Sequence, residues 1–125
     1  MNGIRVLLID DEPSITEMLR LFMEHRGAIV TDFQSAKDGI EYLETHASDV
    51  DVIVTDFSMP GSITGGDIFA LTKSKYTHVV CFIMSGFIDV LPDGIDPFYL
   101  IDKPVNFNFI ASRINEALNK NSPAN

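Results

Sequence analysis

The sequence predicts one α/β domain: a parallel sheet with helices on both faces. Three observations carry that expectation. Apolar runs of strand length alternate with helical stripes along the whole chain. Two of the runs, Val6-Leu-Leu-Ile9 and Val79-Val-Cys-Phe-Ile-Met84, are continuous, as strands covered on both faces are. The residues that end the runs are polar and chemically distinctive, as ligand-facing strand ends are in such sheets.

Ile4–Ile9 is the first strand, and Pro13 suits the first turn of the helix after it, where a missing N–H costs nothing. Ile15, Met18, Leu19, Phe22 and Met23 recur on one helical face, and Gly27 ends that helix. Ala28–Thr31 is a weaker strand. Ala36, Ile40, Leu43 and Ala47 mark a second helix, and Val50–Thr55 the third strand. The breaker-rich loop 60–66 leads to a third helix, capped by Asp67 and carrying Ile68 and Leu71. Val79–Met84 is the fourth strand. Phe87–Leu91 has room for a helical turn or two, but Pro92, Gly94 and Pro97 stop anything longer. Phe98–Ile101 is the fifth strand. Phe107, Ile110, Ala111, Ile114 and Leu118 form the stripe of a last helix. The domain spans 1–119, with 120–125 a flexible tail.

Composition narrows the function. The chain has 125 residues, 46% hydrophobic, with a net charge of −9. Such acidity disfavours direct binding to phosphate backbones. Its one cysteine, Cys81, lies inside an apolar strand, so a disulfide framework and a cysteine-rich zinc site are both excluded. His25, His46 and His78 share no metal-ligand spacing. No apolar run approaches the ~20 residues of a membrane span, and the N-terminus lacks a signal-peptide core. The expected setting is cytoplasmic, away from membranes.

The strand ends carry the chemistry. The first delivers Asp10 and Asp11, the third Asp56, the fourth Ser85 and Gly86, the fifth Asp102, Lys103 and Pro104. Carboxylates converging on one edge repel one another, and a hard cation held by oxygen (Mg²⁺, Mn²⁺ or Ca²⁺) relieves that conflict. Mg²⁺ held by one or two carboxylates keeps open positions for a phosphate. Phosphoryl transfer needs its three equatorial oxygens neutralised: by metal, by the Lys103 ammonium, and by the Ser85 hydroxyl with a backbone N–H. Asp56 is then the nucleophile and becomes an aspartyl-phosphate. Gly86 lets backbone approach the phosphate. Each feature also has a plain structural explanation, Asp10-Asp11 as capping and Asp56 as a turn residue. Their order along successive strand ends favours the joint reading.

Val6-Leu-Leu-Ile-Asp-Asp-Glu-Pro13, Asp56-Phe-Ser-Met-Pro60, Met84-Ser-Gly86 and Lys103-Pro104 together resemble the receiver domain of two-component response regulators, over residues 4–119. The resemblance implies a flavodoxin-like, doubly wound, five-stranded sheet of order 2-1-3-4-5, the order of the chemotaxis members of that family. The resemblance also makes Asp56 the phosphoacceptor, Asp11 a direct metal ligand, Asp10 a ligand through water, and Ser58 the donor of a backbone carbonyl to Mg²⁺. Ser85 resembles the switch hydroxyl and Lys103 the phosphate contact; the Lys103-Pro104 bond is a candidate cis peptide. The implied partners are a histidine kinase or phosphotransfer protein and an unspecified downstream target. The implied activity is signalling, with metal-dependent self-phosphorylation and self-dephosphorylation only.

The chain departs from the family pattern in places. Three positions before Lys103, where the family carries an aromatic switch, stands Leu100; the aromatic is Tyr99, which in a strand would face the other way. The Ser85–Lys103 segment is short, so the fourth helix is expected to be short or remodelled. The loop after Pro60 is long, with Gly65-Gly66 displaced from the family's single glycine. Phe87, beside the expected phosphoryl position, either shields it or packs in the loop. These departures keep an alternative in view: a degenerate receiver that binds partners without phosphorylation. An aspartyl-nucleophile phosphatase is disfavoured, because the second acid it needs two residues after Asp56 is Ser58.

Overall fold

The computed structural model describes residues 1–121. The elements run β1 (Arg5–Ile9), α1 (Pro13–His25), β2 (Ile29–Phe33), α2 (Ala36–His46), β3 (Val52–Asp56), α3 (Gly65–Ser74), β4 (Val80–Ser85), β5 (Leu100–Asp102) and α4 (Phe107–Asn121), with 3₁₀ turns at Ala47–Asp49 and Pro97–Tyr99. All neighbouring strands are parallel, in the order β2-β1-β3-β4-β5. The expected doubly wound sheet is therefore present.

Side chains alternate across each strand, so one sheet has two cores. Leu8, Val54, Phe82 and Ile101 pack with Leu19 and Met23 of α1 and with Ile110 and Ile114 of α4. Leu7, Ile9, Ile53 and Ile83 pack with Leu43 of α2 and with Ile68 and Phe69 of α3. β1, β3 and β4 lie inside the sheet, and all five residues of β3 are buried. A strand covered on both faces tolerates a carboxylate only at its end, and Asp56 occupies that end.

Several local expectations are corrected. β2 runs to Phe33 rather than ending at Thr31. Met18 is 56% exposed and lies outside the core; the buried face of α1 is Thr16, Leu19 and Met23. The cap of α3 is Thr64, not Asp67. Thr64 accepts the Asp67 N–H and Asp67 accepts the Thr64 N–H, a reciprocal capping box. Both residue types are good caps, and only backbone geometry decides which one takes the N-cap. Thr64→Ala is expected to lower unfolding free energy by about 1 kcal/mol, read as a shift in the urea midpoint at unchanged slope.

The largest departure is between β4 and β5. No helix forms in residues 86–96. The helical turn expected at Phe87–Leu91 is absent, and Phe87, Ile88 and Val90 are almost fully exposed, so no apolar face holds one in place. The segment re-enters the fold through the 3₁₀ turn, where the Asp96 side chain accepts the Phe98 N–H. β5 therefore has three residues, and Phe98 and Tyr99 precede it. The last helix continues past residue 119 to Asn121. Of the expected tail, residues 122–125 lie outside the described residues.

Candidate functional site

The site is assembled by register. Ile9 pairs with Thr55, Asp56 with Met84, and Ser85 with Asp102, so β1, β3, β4 and β5 end together. Asp10 and Asp11, Asp56, Ser85 and Lys103 follow or close those strands at one sheet edge. The Ser85 carbonyl accepts the Lys103 N–H at 2.9 Å, and the Met84 carbonyl accepts the Phe57 N–H at 2.9 Å, which extends the ladder beyond the strands. Lys103-Pro104 is cis, as the sequence allowed.

Asp10, Asp11 and Asp56 each present a carboxylate oxygen within 4.8 Å of the others. Asp10 and Asp56 are buried, Asp11 partly so. The Lys103 ammonium lies 2.6 Å from Asp56 Oδ1, a close ion pair. Asp10 uses its oxygens differently. Oδ1 accepts the Glu12 N–H at 2.8 Å and shapes the entry to α1, while Oδ2 is buried without a hydrogen-bond partner. Asp10 thus has one oxygen committed to the helix entry and one left for a ligand.

Electrostatics follow from burial and like charge. Asp10 is pushed up to about 6, first by desolvation and then by Asp56 and Asp11, against the stabilising Glu12 N–H. Desolvation also raises Asp56, opposed by Lys103. Burial works against the Lys103 ammonium, but pairing with Asp56 outweighs it and its pKa rises. A buried oxygen without a donor, in an all-oxygen set of three acids, fits a hard divalent cation such as Mg²⁺ or Mn²⁺.

The other expected site residues divide. Ser85 is buried at the end of β4. Gly86 follows it, and its N–H donates to Asp89 Oδ2 at 2.7 Å. Ser58 is exposed, and its hydroxyl donates to Asp89 Oδ1 at 2.6 Å. Phe87 neither shields the site nor packs in the loop: it is fully exposed. Tyr99 is outside the strand, so the expected one-residue flip does not apply. Its ring sits 5.9 Å from Phe69, 5.6 Å from Phe82 and 5.0 Å from Phe98, centroid to centroid. Leu100 pairs with Ile83 and is half-buried beside that strand's core. Sequence reasoning missed Asp89 altogether. Its only signal is an acid four residues after Ser85, indistinguishable from any loop aspartate.

A cluster of three acids faced by lysine, at the carboxyl edge of a doubly wound sheet, is an arrangement suited to a cation and an anionic ligand. Comparison with known proteins narrows it. Residues 6–115 match the response regulator receiver domain, and the chain belongs to that family. An uncharacterized 14.6 kDa protein from Leptolyngbya boryana is 30% identical over 111 residues, which span 77% of this chain and 83% of that protein. The response regulator SaeR of Staphylococcus epidermidis is 26% identical over 96% of this chain and 52% of its own length. The transcriptional regulatory protein GlrR of Escherichia coli is 25% identical over 95% of this chain and 27% of its own length. The chain thus spans about a quarter to a half of these two regulators. A crystal structure of a response regulator receiver domain protein from Clostridium thermocellum superposes with a TM-score of 0.82 at 26% identity, covering 94% of this chain and 96% of that one. The phosphoacceptor role is general for the family, histidine kinases phosphorylate its members, and a divalent metal is typical. It is a signalling domain rather than an ordinary enzyme. Among the described residues, no helix is long and apolar enough to cross a membrane.

Proposed function

We propose that this chain accepts a phosphoryl group on Asp56 from a histidine kinase or phosphotransfer protein and signals the change to a downstream protein. One observation carries the reading: a buried carboxylate with a lysine ammonium at 2.6 Å and two further acids within 4.8 Å. Asp11 and Asp56, with Asp10 and the Ser58 carbonyl, are the residues to hold Mg²⁺. When bound, the cation supplies charge neutralisation to an incoming phosphate. Lys103 then transfers its pairing from the Asp56 carboxylate to a phosphoryl oxygen, and the Ser85 hydroxyl serves another. Asp56 attacks phosphorus, and the donor's leaving group departs with the P–N or P–O electron pair.

Incubation with acetyl phosphate and Mg²⁺ is expected to add one phosphoryl mass to the wild-type chain and none to Asp56→Asn. An unmodified wild type, under conditions that keep it folded, overturns the proposal.

The degenerate-receiver reading retains one supporting observation. The family's aromatic switch position is Leu100, and the nearby Tyr99 is held among three aromatic rings. Under that reading, partner binding is indifferent to Asp56→Asn and to beryllofluoride.

A further inference from the structure

The segment after Ser85 contains a contact that the phosphoacceptor reading does not use. Asp89 folds back toward the site and accepts two hydrogen bonds, from the Ser58 hydroxyl at 2.6 Å and from the Gly86 N–H at 2.7 Å. Ser58 follows the strand that ends in Asp56, and Gly86 follows the strand that ends in Ser85. One carboxylate therefore ties the strand end that carries the acceptor to the strand end beside it. Attraction to the Lys103 ammonium, which an incoming anion would also draw on, is the carboxylate's other electrostatic hold. Phe87, Ile88 and Val90 around it are exposed, and one backbone bond, from the Asp89 N–H to the Gly86 carbonyl, closes the turn.

We propose that Asp89 is a built-in competitor of the phosphoryl group: its carboxylate occupies the Gly86 N–H and the Ser58 hydroxyl, and an anion seated on Asp56 expels it and frees the 87–90 segment. The inference rests on the reading of Asp56 as the phosphoryl acceptor. An anion on Asp56 needs donors on the side away from the metal, and the Gly86 N–H is the backbone donor next to Ser85. That N–H already serves an anion. A second anion cannot share the donor without like-charge repulsion, so the weaker-held group leaves. Asp89 is the weaker-held of the two: Phe87, Ile88 and Val90 beside it are exposed and the segment first packs on the core at Leu91, whereas the acceptor is fixed at a buried strand end. Expulsion converts a short loop carrying three exposed apolar side chains from a pinned to an unpinned state. This gives phosphorylation a reporter that does not require rotation of Tyr99.

Beryllofluoride with Mg²⁺ is the probe, titrated into wild type, Asp89→Asn and Asp89→Ala by ¹⁹F NMR, with ¹⁵N spectra of each state. Asp89→Asn keeps an acceptor and removes the charge; Asp89→Ala removes both. Beryllofluoride is expected to bind both variants about tenfold more tightly than wild type, because a charge-assisted hydrogen bond no longer has to be broken. In wild type, the Gly86 amide is expected to shift on binding and the amides of 87–90 to become more mobile. Unchanged affinity in both variants, or a wild-type complex in which Asp89 still holds the Gly86 N–H, overturns the inference and leaves Asp56 as acceptor. Failure of wild type to bind beryllofluoride, together with no phosphorylation by acetyl phosphate, overturns both readings.

Discussion

Asp10→Asn is expected to make the metal-free protein more stable than wild type near neutral pH, by about 3 kcal/mol, and no more stable at about pH 4. The sign follows from the direction of the shift. Burial raises the folded-state pKa of Asp10 to about 6, above its ordinary value of 3.8. Between those two values the folded chain binds a proton that the unfolded chain has lost. The stability conferred by that proton is complete below about pH 4 and disappears as pH rises through about 6. The gap between the two values corresponds to about 3 kcal/mol. Asparagine imitates the protonated acid, retains an oxygen for the Glu12 N–H, and carries no charge to repel Asp11 and Asp56. The difference between the urea unfolding curves of the two proteins, followed across pH, cancels every titrating group that does not interact with Asp10 and reports Asp10 with its coupled neighbours. Mg²⁺ is expected to narrow the gap by stabilising wild type through mass action, an effect the variant largely loses. A difference that stays flat between about pH 4 and 7 refutes the account.

The adjacent glycines of α3 are expected to respond in opposite ways. A Cβ on Gly65 would stand 2.5 Å from the Asp56 carbonyl oxygen and 2.9 Å from the Phe57 Cα. Both are backbone atoms at the end of a central strand, and the Gly65 N–H also donates to the Phe57 carbonyl at 2.9 Å. Nothing there can swing aside. Gly65→Ala is expected to cost about 1–3 kcal/mol and to slow phosphorylation, since relief requires α3 to move off the strand that presents Asp56. At Gly66 the nearest atoms are Pro92 Cγ at 3.1 Å and Phe57 Cε1 at 3.4 Å. Pro92 belongs to the helix-free segment and can give by a few tenths of an ångström, while alanine gains up to about 1 kcal/mol of helix propensity over glycine. Gly66→Ala is therefore expected to be close to neutral. Equal losses at both positions would show that helix entry, rather than packing on the Asp56 strand, sets the cost.

The displaced Gly65-Gly66 pair also shows how far the sequence can be read. The pair is visible as a departure from the family spacing, but its purpose is not. One glycine permits backbone to lie on backbone at the acceptor strand; the other only faces a loop and an aromatic edge. Capping of α3 is legible in kind but not in position, because Thr64 and Asp67 are both good caps and each bonds the other's N–H. The placement of Tyr99 is hidden for a different reason. Strand alternation does not extend through Phe98 and Tyr99, which form a 3₁₀ turn before β5 begins. Pro92, Gly94 and Pro97 do announce the missing helix after β4, though the shorter turn expected in its place does not form either.

What the sequence determined by itself is the alternation of strands and helices, and the identity of the groups at the strand ends. Both are local properties. Burial periodicity repeats within a few residues, and parallel strands necessarily bring their carboxyl ends to one edge. Only the tertiary structure decided that Lys103 reaches Asp56, that Asp10 leaves one oxygen free, and that Asp89 clasps Ser58 to Gly86. These contacts depend on ångström-scale distances between residues on different elements. A carboxylate thirty-one positions from its partner carries no mark of that partner in its own neighbourhood.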